Sequence, residues 1–194
     1  MLEVLAVEGA EAEIAIWNPD GSRAELSGNG TRIAARWLAE RAGTDEVRIR
    51  VGERVTKARI AGDLVEQELG RVEIGEPEEV EGIRLVPVSV GNPHAVVQGD
   101  PAEIGRIGPM LERHPRFPAG TNVQVARVDR PGRVTARVWE RGVGETQSSG
   151  TSAVAVAAAI QADGETEVGF PGGTLRVRIE NGLAYLIGPA ERVG

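Results

Sequence analysis

The sequence predicts a mixed α/β (α+β) fold of two pseudo-symmetric halves, each with strands wrapped around one central buried helix. An internal repeat is the first of three observations that predict it. Trp17 precedes Ser27 by ten residues, and Trp139 precedes Ser149 by the same ten. The other two observations are an Ala-rich apolar segment after each serine and strand-like sequence around it. Because a repeated unit folds the same way twice, we expect strand, loop, helix and strands in each half.

Each element follows from its own pattern of hydrophobic residues. The segments predicted as helices are residues 31–39 and 152–160, which are apolar on nearly every side, as buried helices are. Alternation of polar and apolar residues predicts the strands. These strands are residues 13–17, 46–51, 134–139, 167–170 and 175–179. Each half closes on a similar short phrase, residues 72–77 in the first and residues 185–189 in the second.

The boundary between the halves is predicted to lie in a polar segment. Residues 76–82, Glu-Pro-Glu-Glu-Val-Glu-Gly, are acidic and rich in turn-forming residues. The first half is therefore residues 1–80, joined by the C-terminal strand 184–194, and the second half is residues 81–183.

Composition narrows the class of protein. The formal net charge is -7, which disfavours nucleic acid as a partner because phosphate binding needs a basic surface. The chain has no cysteine, and its only histidines are His94 and His114, so we expect neither thiolate chemistry nor a zinc site. Lys57 is the only lysine, which leaves pyridoxal chemistry one candidate, in a charged and strand-like setting. We expect no metal and no cofactor.

The first residues of the chain and its longest apolar run both bear on the location of the protein. Residues 1–8 lack the basic segment with which a signal peptide begins. The longest wholly apolar run, residues 153–160, is far too short to span a bilayer. We expect a cytoplasmic protein that has no membrane partner.

Ser27 and Ser149 each stand just before a predicted helix and are followed by glycine. Taken singly, such a serine is an N-cap followed by a turn. The repeat favours a second interpretation, because small residues let a ligand approach the backbone and the free N–H groups of a helix start bind a carboxylate. Two such starts, facing each other across the interface between the halves, would place an acid/base group on each side of one anion. Inversion of a carbon centre needs that geometry.

Longer motifs then follow one another in a recognisable order, for example Gly-Asn-Pro-His at residues 91–94. The segments that carry them are residues 18–22, 27–32, 91–94, 114–118, 120–123, 139–142, 144–147 and 149–151. On these motifs, which spread over most of the chain, the protein resembles the diaminopimelate epimerase family.

The resemblance implies a cofactor-independent, two-base inversion at an amino-acid α carbon, which converts LL- to meso-diaminopimelate for lysine and peptidoglycan precursor synthesis. It implies that Ser27 and Ser149 occupy the catalytic positions, with His94 and Glu140 beside them. Arg141 would pair with a substrate carboxylate, and Glu140 would also contact substrate. The residues implied to cradle the reacting α-carboxylate are Gly28, Asn29, Gly150 and Thr151. Those implied to hold the distal end and the amine of the substrate are Asn18, Asn92 and Asn122.

Two departures from the family pattern bear on activity. Serine stands at both positions where the family carries its catalytic cysteines, and a hydroxyl ionises far less readily than a thiol. The usual N-terminal segment with Gly-x-Gly-Asn-Asp-Phe does not occur, so we expect the chain to start midway through the first half. Strand edges and apolar surface left uncovered there predict a homodimer.

Three functions stay open on the sequence alone. The chain is an epimerase of this family, acting on diaminopimelate or another amino acid, with its activity in doubt because of Ser27 and Ser149. Alternatively, it is a catalytically impaired paralogue that binds the substrate, or an isomerase or dehydratase of the same fold that uses Glu140 or His94 as its base. In each case the partner is a small amino-acid substrate.

Overall fold

A computed structural model of the chain describes residues 1–17, 21, 23 and 27–190. Its helices are α1 (Gly28–Ala42), α2 (Ile104–Glu112) and α3 (Gly150–Ile160), with a short 3-10 turn at Pro101–Glu103. Its strands are β1 (Leu2–Glu8), β2 (Glu11–Ile16), β3 (Glu46–Val51), β4 (Arg54–Ala61), β5 (Leu64–Arg71), β6 (Glu73–Ile74), β7 (Glu78–Val80), β8 (Ile83–Ser89), β9 (Pro93–Gln98), β10 (Asn122–Arg130), β11 (Arg133–Glu140), β12 (Gly144–Thr146), β13 (Gly164–Phe170), β14 (Gly173–Glu180) and β15 (Leu183–Pro189). The chain divides into two compact units: Met1–Leu69 with the chain from Tyr185 onward, and Gly70–Ala184.

The first unit is built on a sheet with the strand order β1-β2-β3-β4-β5-β15. Strands β2 and β3 are parallel, with Ala12 opposite Ile49. Helix α1 makes the crossover that a parallel pair requires. The pairs β1–β2, β3–β4 and β4–β5 are antiparallel.

Helix α1 buries one face against this sheet. Ala35 and Leu38 are fully buried and share an apolar cluster with Ile14 and Ile49 of the strands. The opposite side of α1 faces away from that cluster and leaves Ile33 52% exposed. The first helix is therefore buried on the sheet side only, because strands cover a single face of it.

The second unit has the strand order β14-β13-β11-β10-β9-β8-β6, with β12 beside β11 and β7 beside β8. Strands β11 and β13 are parallel, with Val134 opposite Val168, and α3 connects them. Strands β9 and β10 form a second parallel pair, connected through α2.

Helix α3 is buried on every side over most of its length. All residues from Gly150 to Ala158 are buried, and the helix contacts β8, β9, β10, β13 and β14. Alanine and valine supply most of its side chains, so strands can pack closely around it without large gaps. The prediction of a buried central helix at residues 152–160 is confirmed.

The two units repeat one topology, which confirms the predicted pseudo-symmetric fold. In each, an antiparallel hairpin leads into a helix, then a parallel strand and an antiparallel return. The elements are β1-β2-α1-β3-β4 in the first unit and β10-β11-α3-β13-β14 in the second.

The phrase that closes each half lies in the other compact unit. Residues 72–77 hold the two-residue strand β6, which pairs with β8, whereas residues 185–189 lie in β15 beside β5. The half boundaries at 80/81 and 183/184 stay a prediction, since compactness does not define where a repeat ends. Among the described residues, no helix is long and apolar enough to cross a membrane.

Candidate active site

The start of α1 is organised by Ser27. Ser27 is extended, with φ -138° and ψ 113°, and its Oγ accepts a 3.1 Å hydrogen bond from the Gly30 amide. Its carbonyl accepts from the Thr31 amide at 2.9 Å. The space beside Gly30 is tight, because an added Cβ would lie 3.1 Å from a methyl group of Leu2. Glycine at this position therefore lets the first turn of α1 lie against β1 and β2.

Two buried side chains hold the residues that follow Ser27. Gln67, fully buried on β5, donates from Nε2 to the Gly28 carbonyl and accepts from Thr31 Oγ1 at 2.7 Å. Arg32 donates to Asn29 Oδ1 at 3.0 Å and to the Pro189 carbonyl at 2.8 Å. Burial lowers the pKa of the Arg32 guanidinium below its usual value. The Gly28-Asn29 step is thus fixed from both sides.

Ser149 occupies the matching position before α3 but uses its hydroxyl differently. It is extended, with φ -143° and ψ 126°, it is buried, and its side chain makes no capping hydrogen bond. The loop before it is held where Gly172 donates to the Gln147 carbonyl at 2.8 Å. The amides of the first turn, from Gly150 onward, are free of intrahelical partners, as at any helix start.

A chain of hydrogen bonds runs from Asn92 through His94 to the first turn of α3. Asn92 Oδ1 lies 3.0 Å from His94 Nε2, and His94 Nδ1 lies 3.0 Å from Nε2 of the fully buried Gln124. Gln124 Nε2 also donates to Ser152 Oγ at 3.0 Å. Both ring nitrogens of His94 are therefore engaged.

The electrostatics of His94 are those of a neutral imidazole. Burial lowers its pKa to about 3, and the positive charge of Arg141 adds to the lowering. With Gln124 Nε2 as donor to Nδ1, the ring proton is on Nε2 and is donated to Asn92. A neutral histidine held at both nitrogens can orient its neighbours but is a weak base.

The turn between β11 and β12 carries Glu140 and Arg141. Buried Asn122 holds it, because its Oδ1 accepts from the Arg141 amide at 3.0 Å while its Nδ2 donates to the Pro93 carbonyl at 2.9 Å. The Glu140 carboxylate accepts from Thr146 Oγ1 at 2.6 Å. The Arg141 guanidinium donates to the Ala119 carbonyl at 3.1 Å.

The second unit therefore links most of the residues selected from its sequence. One series of contacts joins Asn92 and His94 to the start of α3, and another joins Asn122 to Arg141. Ser27, Gly28 and Asn29 lie together at the start of α1 in the first unit. The predicted substrate residue Asn18 lies outside the described residues. The catalytic and binding roles of all these residues stay predictions.

Sequence reasoning missed Gln67 and Gln124, the two fully buried glutamines that fix the helix starts. A signal for the first was present. Strand alternation places Gln67 on the same face as Val65 and Leu69, where an apolar residue is expected. A polar side chain at such a position needs buried partners, and those partners are the first turns of the helices.

A groove in the described part of the chain lies elsewhere, on the outer face of the first unit's sheet. Its volume is about 900 Å³ and its lining is mostly charged, including Glu11 and Arg50, which form a 2.7 Å ion pair. It shares no residue with the predicted site. Among the described residues, no group of His, Cys, Asp and Glu side chains could hold a metal ion.

Solved structures define the class to which this fold belongs. The chain aligns over its full length with 81% of a predicted epimerase from Pseudomonas aeruginosa, at a TM-score of 0.74 and 17% identity. It also aligns over 98% of its length with 72% of a hydroxyproline epimerase from Agrobacterium vitis, at a TM-score of 0.72 and 18% identity. The fold is therefore that of the pseudo-symmetric α+β epimerases.

Sequence comparison is more specific than fold. Residues 86–193 match the family described as diaminopimelate epimerase. A diaminopimelate epimerase from Desulforudis audaxviator is 36% identical over 98% of this chain and 80% of its own length. The chain belongs to the diaminopimelate epimerase family, a family of isomerases, and the resemblance drawn from the sequence motifs is confirmed.

Proposed function

We propose that this chain binds diaminopimelate and inverts its α carbon without a cofactor, at a rate limited by Ser27 and Ser149. Ser149 carries the proposal. It is buried at the start of an apolar helix, yet its hydroxyl does not cap that helix, so the hydroxyl stays available to a ligand. Gly150 and Thr151 follow it, and their amides suit a carboxylate.

The proposed reaction needs two groups on opposite faces of the α carbon. One removes the α proton, negative charge then spreads into the adjacent carboxylate, and the other group returns a proton from the opposite face. Helix N-termini stabilise the carboxylate and the charge that develops beside it. In the proposal, Ser27 and Ser149 are these two groups, and Gly28, Asn29, Gly150 and Thr151 hold the carboxylate.

The two serines set the expected rate. A free thiol has a pKa of about 8.5, which a helix N-terminus lowers, whereas a hydroxyl is closer to the roughly 15.7 of water. A gap of about 7 units corresponds to on the order of 10 kcal/mol for generating the base. A hydrogen bond to a charged group returns only about 1.5–3 kcal/mol. We therefore expect slow turnover from the chain with serine at both positions.

His94 is a poor substitute base, because its pKa is about 3 and both ring nitrogens are engaged. In the proposal it positions Asn92 for the substrate. Glu140 is the better alternative base, although one carboxylate oxygen already accepts from Thr146. Arg141 is proposed to pair with the distal carboxylate, since the helix starts are assigned to the reacting one.

Binding without turnover is the second candidate function. The observation that favours it is the presence of serine at both catalytic positions, in a chain that keeps the family's other motifs. Under this alternative the chain is a diaminopimelate-binding protein.

Calorimetry and proton exchange distinguish the two functions. Diaminopimelate binding is measured by titration calorimetry, and exchange of its α proton in D₂O is followed by NMR. The proposal expects binding together with slow exchange that Ser149→Ala abolishes. Thr174→Ala, at an exposed position on β14, is the control. Binding without exchange supports the second function, and absence of binding overturns both.

We further propose that the chain acts in the cytoplasm, in lysine and peptidoglycan precursor synthesis, and as a homodimer. Exposed apolar side chains on β1 support the dimer. Val4 and Leu5 are each 46% exposed, and Val7 is 40% exposed, on a strand at the edge of the sheet order. An uncovered strand edge with apolar side chains favours pairing with another chain.

A further inference from the structure

The turn that carries Arg141 is held by a buried carboxylate that the proposed reaction does not use. Glu112, the last residue of α2, is only 7% exposed. Its Oε1 accepts a 2.7 Å hydrogen bond from the Gly142 amide, and its Oε2 accepts a 2.8 Å hydrogen bond from Trp139 Nε1. One side chain therefore fixes the strand end before Arg141 and the backbone just after it.

The backbone of Glu112 extends the same support. Its carbonyl accepts from the Thr121 amide at 3.3 Å, next to Asn122, which in turn accepts from the Arg141 amide. The Arg141 amide and the Gly142 amide are thus held by two buried acceptors on different elements. With two consecutive amides fixed, the position of the Arg141 side chain is set where it leaves the turn.

The stem of Arg141 is confined as well. It lies against Gly120, where an added Cβ would be 3.0 Å from Arg141 Cδ, and its Nη1 donates to the Ala119 carbonyl. A small shift of the turn would therefore move the guanidinium away from both. Contacts of this kind make carboxylate recognition sensitive to displacements of about 1 Å.

The charge of Glu112 suits this task. Burial alone would raise the pKa of the Glu112 carboxyl, but the hydrogen bonds from Gly142 and Trp139 and the positive charge of Arg113 outweigh it and lower that pKa. The side chain is therefore an ionised acceptor at neutral pH, and charge-assisted bonds of this type are stronger than neutral ones. Glutamine at this position would offer one acceptor oxygen and would set its amide group against the other donor.

We infer that Glu112 is a positioning residue for substrate recognition, which fixes the Arg141 turn so that the guanidinium can pair with the distal carboxylate. This inference rests on the proposed function, in which Arg141 binds that carboxylate. Glu112 does not itself touch the substrate. Its effect should be confined to ligands that carry the second carboxylate.

Diaminopimelate and lysine provide the test, because lysine lacks the distal carboxylate but keeps the amino-acid end. Both are titrated by NMR into the wild-type chain, Glu112→Gln and Glu145→Gln. Glu145 is the matched control, a glutamate on β12 whose carboxylate bonds Arg137 at 2.6 Å. We expect Glu112→Gln to raise the Kd for diaminopimelate at least about tenfold and the Kd for lysine less than about threefold. Glu145→Gln should change neither.

A direct spectroscopic readout accompanies the titrations. The indole N–H resonance of Trp139 reports its hydrogen bond to Glu112 and should move farther in Glu112→Gln than in Glu145→Gln, although Glu145 lies opposite Trp139 in the β11–β12 pair. If Glu112→Gln does not fold, the same titrations are made with Glu112→Asp. This variant keeps the negative charge but draws both carboxylate oxygens back by one methylene. Glu112→Asp should also weaken the binding of diaminopimelate more than the binding of lysine.

The outcomes are distinct. A wild-type chain that binds neither ligand overturns the proposed function and the inference with it. A wild-type chain that binds diaminopimelate, with equal affinity in the Glu112 variant or with equal losses for both ligands, overturns the inference alone.

Discussion

The hydroxyl oxygen of Ser27 accepts a 3.1 Å hydrogen bond from the amide of Gly30, whereas the hydroxyl of Ser149 makes no such bond to its own helix. The two serines have nearly the same backbone conformation, so the difference lies in the side chains. Ser27 serves as a helix cap. Ser149 stands at the same place in the second repeat, but its side chain does not cap α3.

Alanine substitution should separate these two roles. Ser27→Ala removes a side-chain cap and should lower the free energy of unfolding by about 1 kcal/mol. Ser149→Ala removes no capping bond and should change the free energy of unfolding by less than that. Urea unfolding followed by circular dichroism measures both. An equal loss in the two variants would contradict the assignment of Ser27 as the cap.

The fold was predictable because the hydrophobic pattern repeats and because residues 152–160 have almost no polar side chains. A segment of that kind has to be surrounded, and only strands were available to surround it. The sequence did not predict that one side of α1 would be exposed. Ile33 is apolar like its buried neighbours, and whether strands reach that flank depends on the tertiary arrangement.

The parts of the candidate site that lie within the sequence motifs could be predicted. The helix starts at Gly28 and Gly150 follow from Ser-Gly steps before apolar segments. The role of Glu112 does not follow from local sequence, since its partner Trp139 lies 27 residues away and the contact is made by folding. Nor does the neutral state of His94, which depends on burial that no motif encodes.

Helix α2 offers a test of the packing behind the Arg141 turn. An added Cβ at Gly108 would lie 2.6 Å from Cβ of Trp139, which is fixed to its strand and cannot swing away. Gly108→Ala should therefore cost about 1–3 kcal/mol from overpacking, more than the roughly 1 kcal/mol gained in helix propensity. Gly105→Ala, on the same helix with open space around it, should be neutral or slightly stabilising. Thermal unfolding compares the two, and equal effects would contradict the close approach of α2 to β11.

The pKa of His94 predicts how stability depends on pH. Its folded value of about 3 lies below the ordinary 6.5, so the unfolded chain binds a proton between these values that the folded chain does not. The stabilisation is complete above pH 6.5 and is lost as the pH falls, by about 1.4 kcal/mol per pH unit. Urea unfolding between pH 5 and pH 6.5 should show this slope in the wild-type chain and a smaller slope in His94→Gln. His114→Gln, which leaves His94 in place, is the control, and a slope that survives in His94→Gln would argue against a neutral His94.

The exposed edge at β1 predicts self-association. If the edge strand pairs with another copy, charge on its apolar side should prevent pairing. Light scattering across a range of concentrations should give a dimer mass for the wild-type chain and a monomer mass for the double variant Val4→Lys, Val7→Lys. Val143→Lys, which is 53% exposed in the second unit, should leave the dimer intact. A monomer at every concentration would exclude the homodimer.

Restoring both thiols tests the catalytic assignment. Each cysteine supplies a base whose pKa lies near the operating pH, and general base catalysis of this kind typically contributes about 10²–10⁴-fold. We expect the double variant Ser27→Cys, Ser149→Cys to exchange the α proton of diaminopimelate at least about a hundredfold faster than the wild-type chain. Its rate should rise with pH as the thiols ionise. Either single variant should be slower than the double one, because inversion needs a competent group on each face.

The control for this comparison is Thr174→Cys, which adds an exposed thiol on β14 and should leave the exchange rate unchanged. A thiol at position 27 also replaces the hydroxyl that caps α1, so the variants are compared at a temperature where each is folded. The measurement is the rate of deuterium incorporation at the α carbon, followed by NMR under saturating diaminopimelate. A wild-type chain that already exchanges as fast as the double-cysteine variant would mean that serine, or a residue such as Glu140, is the working base.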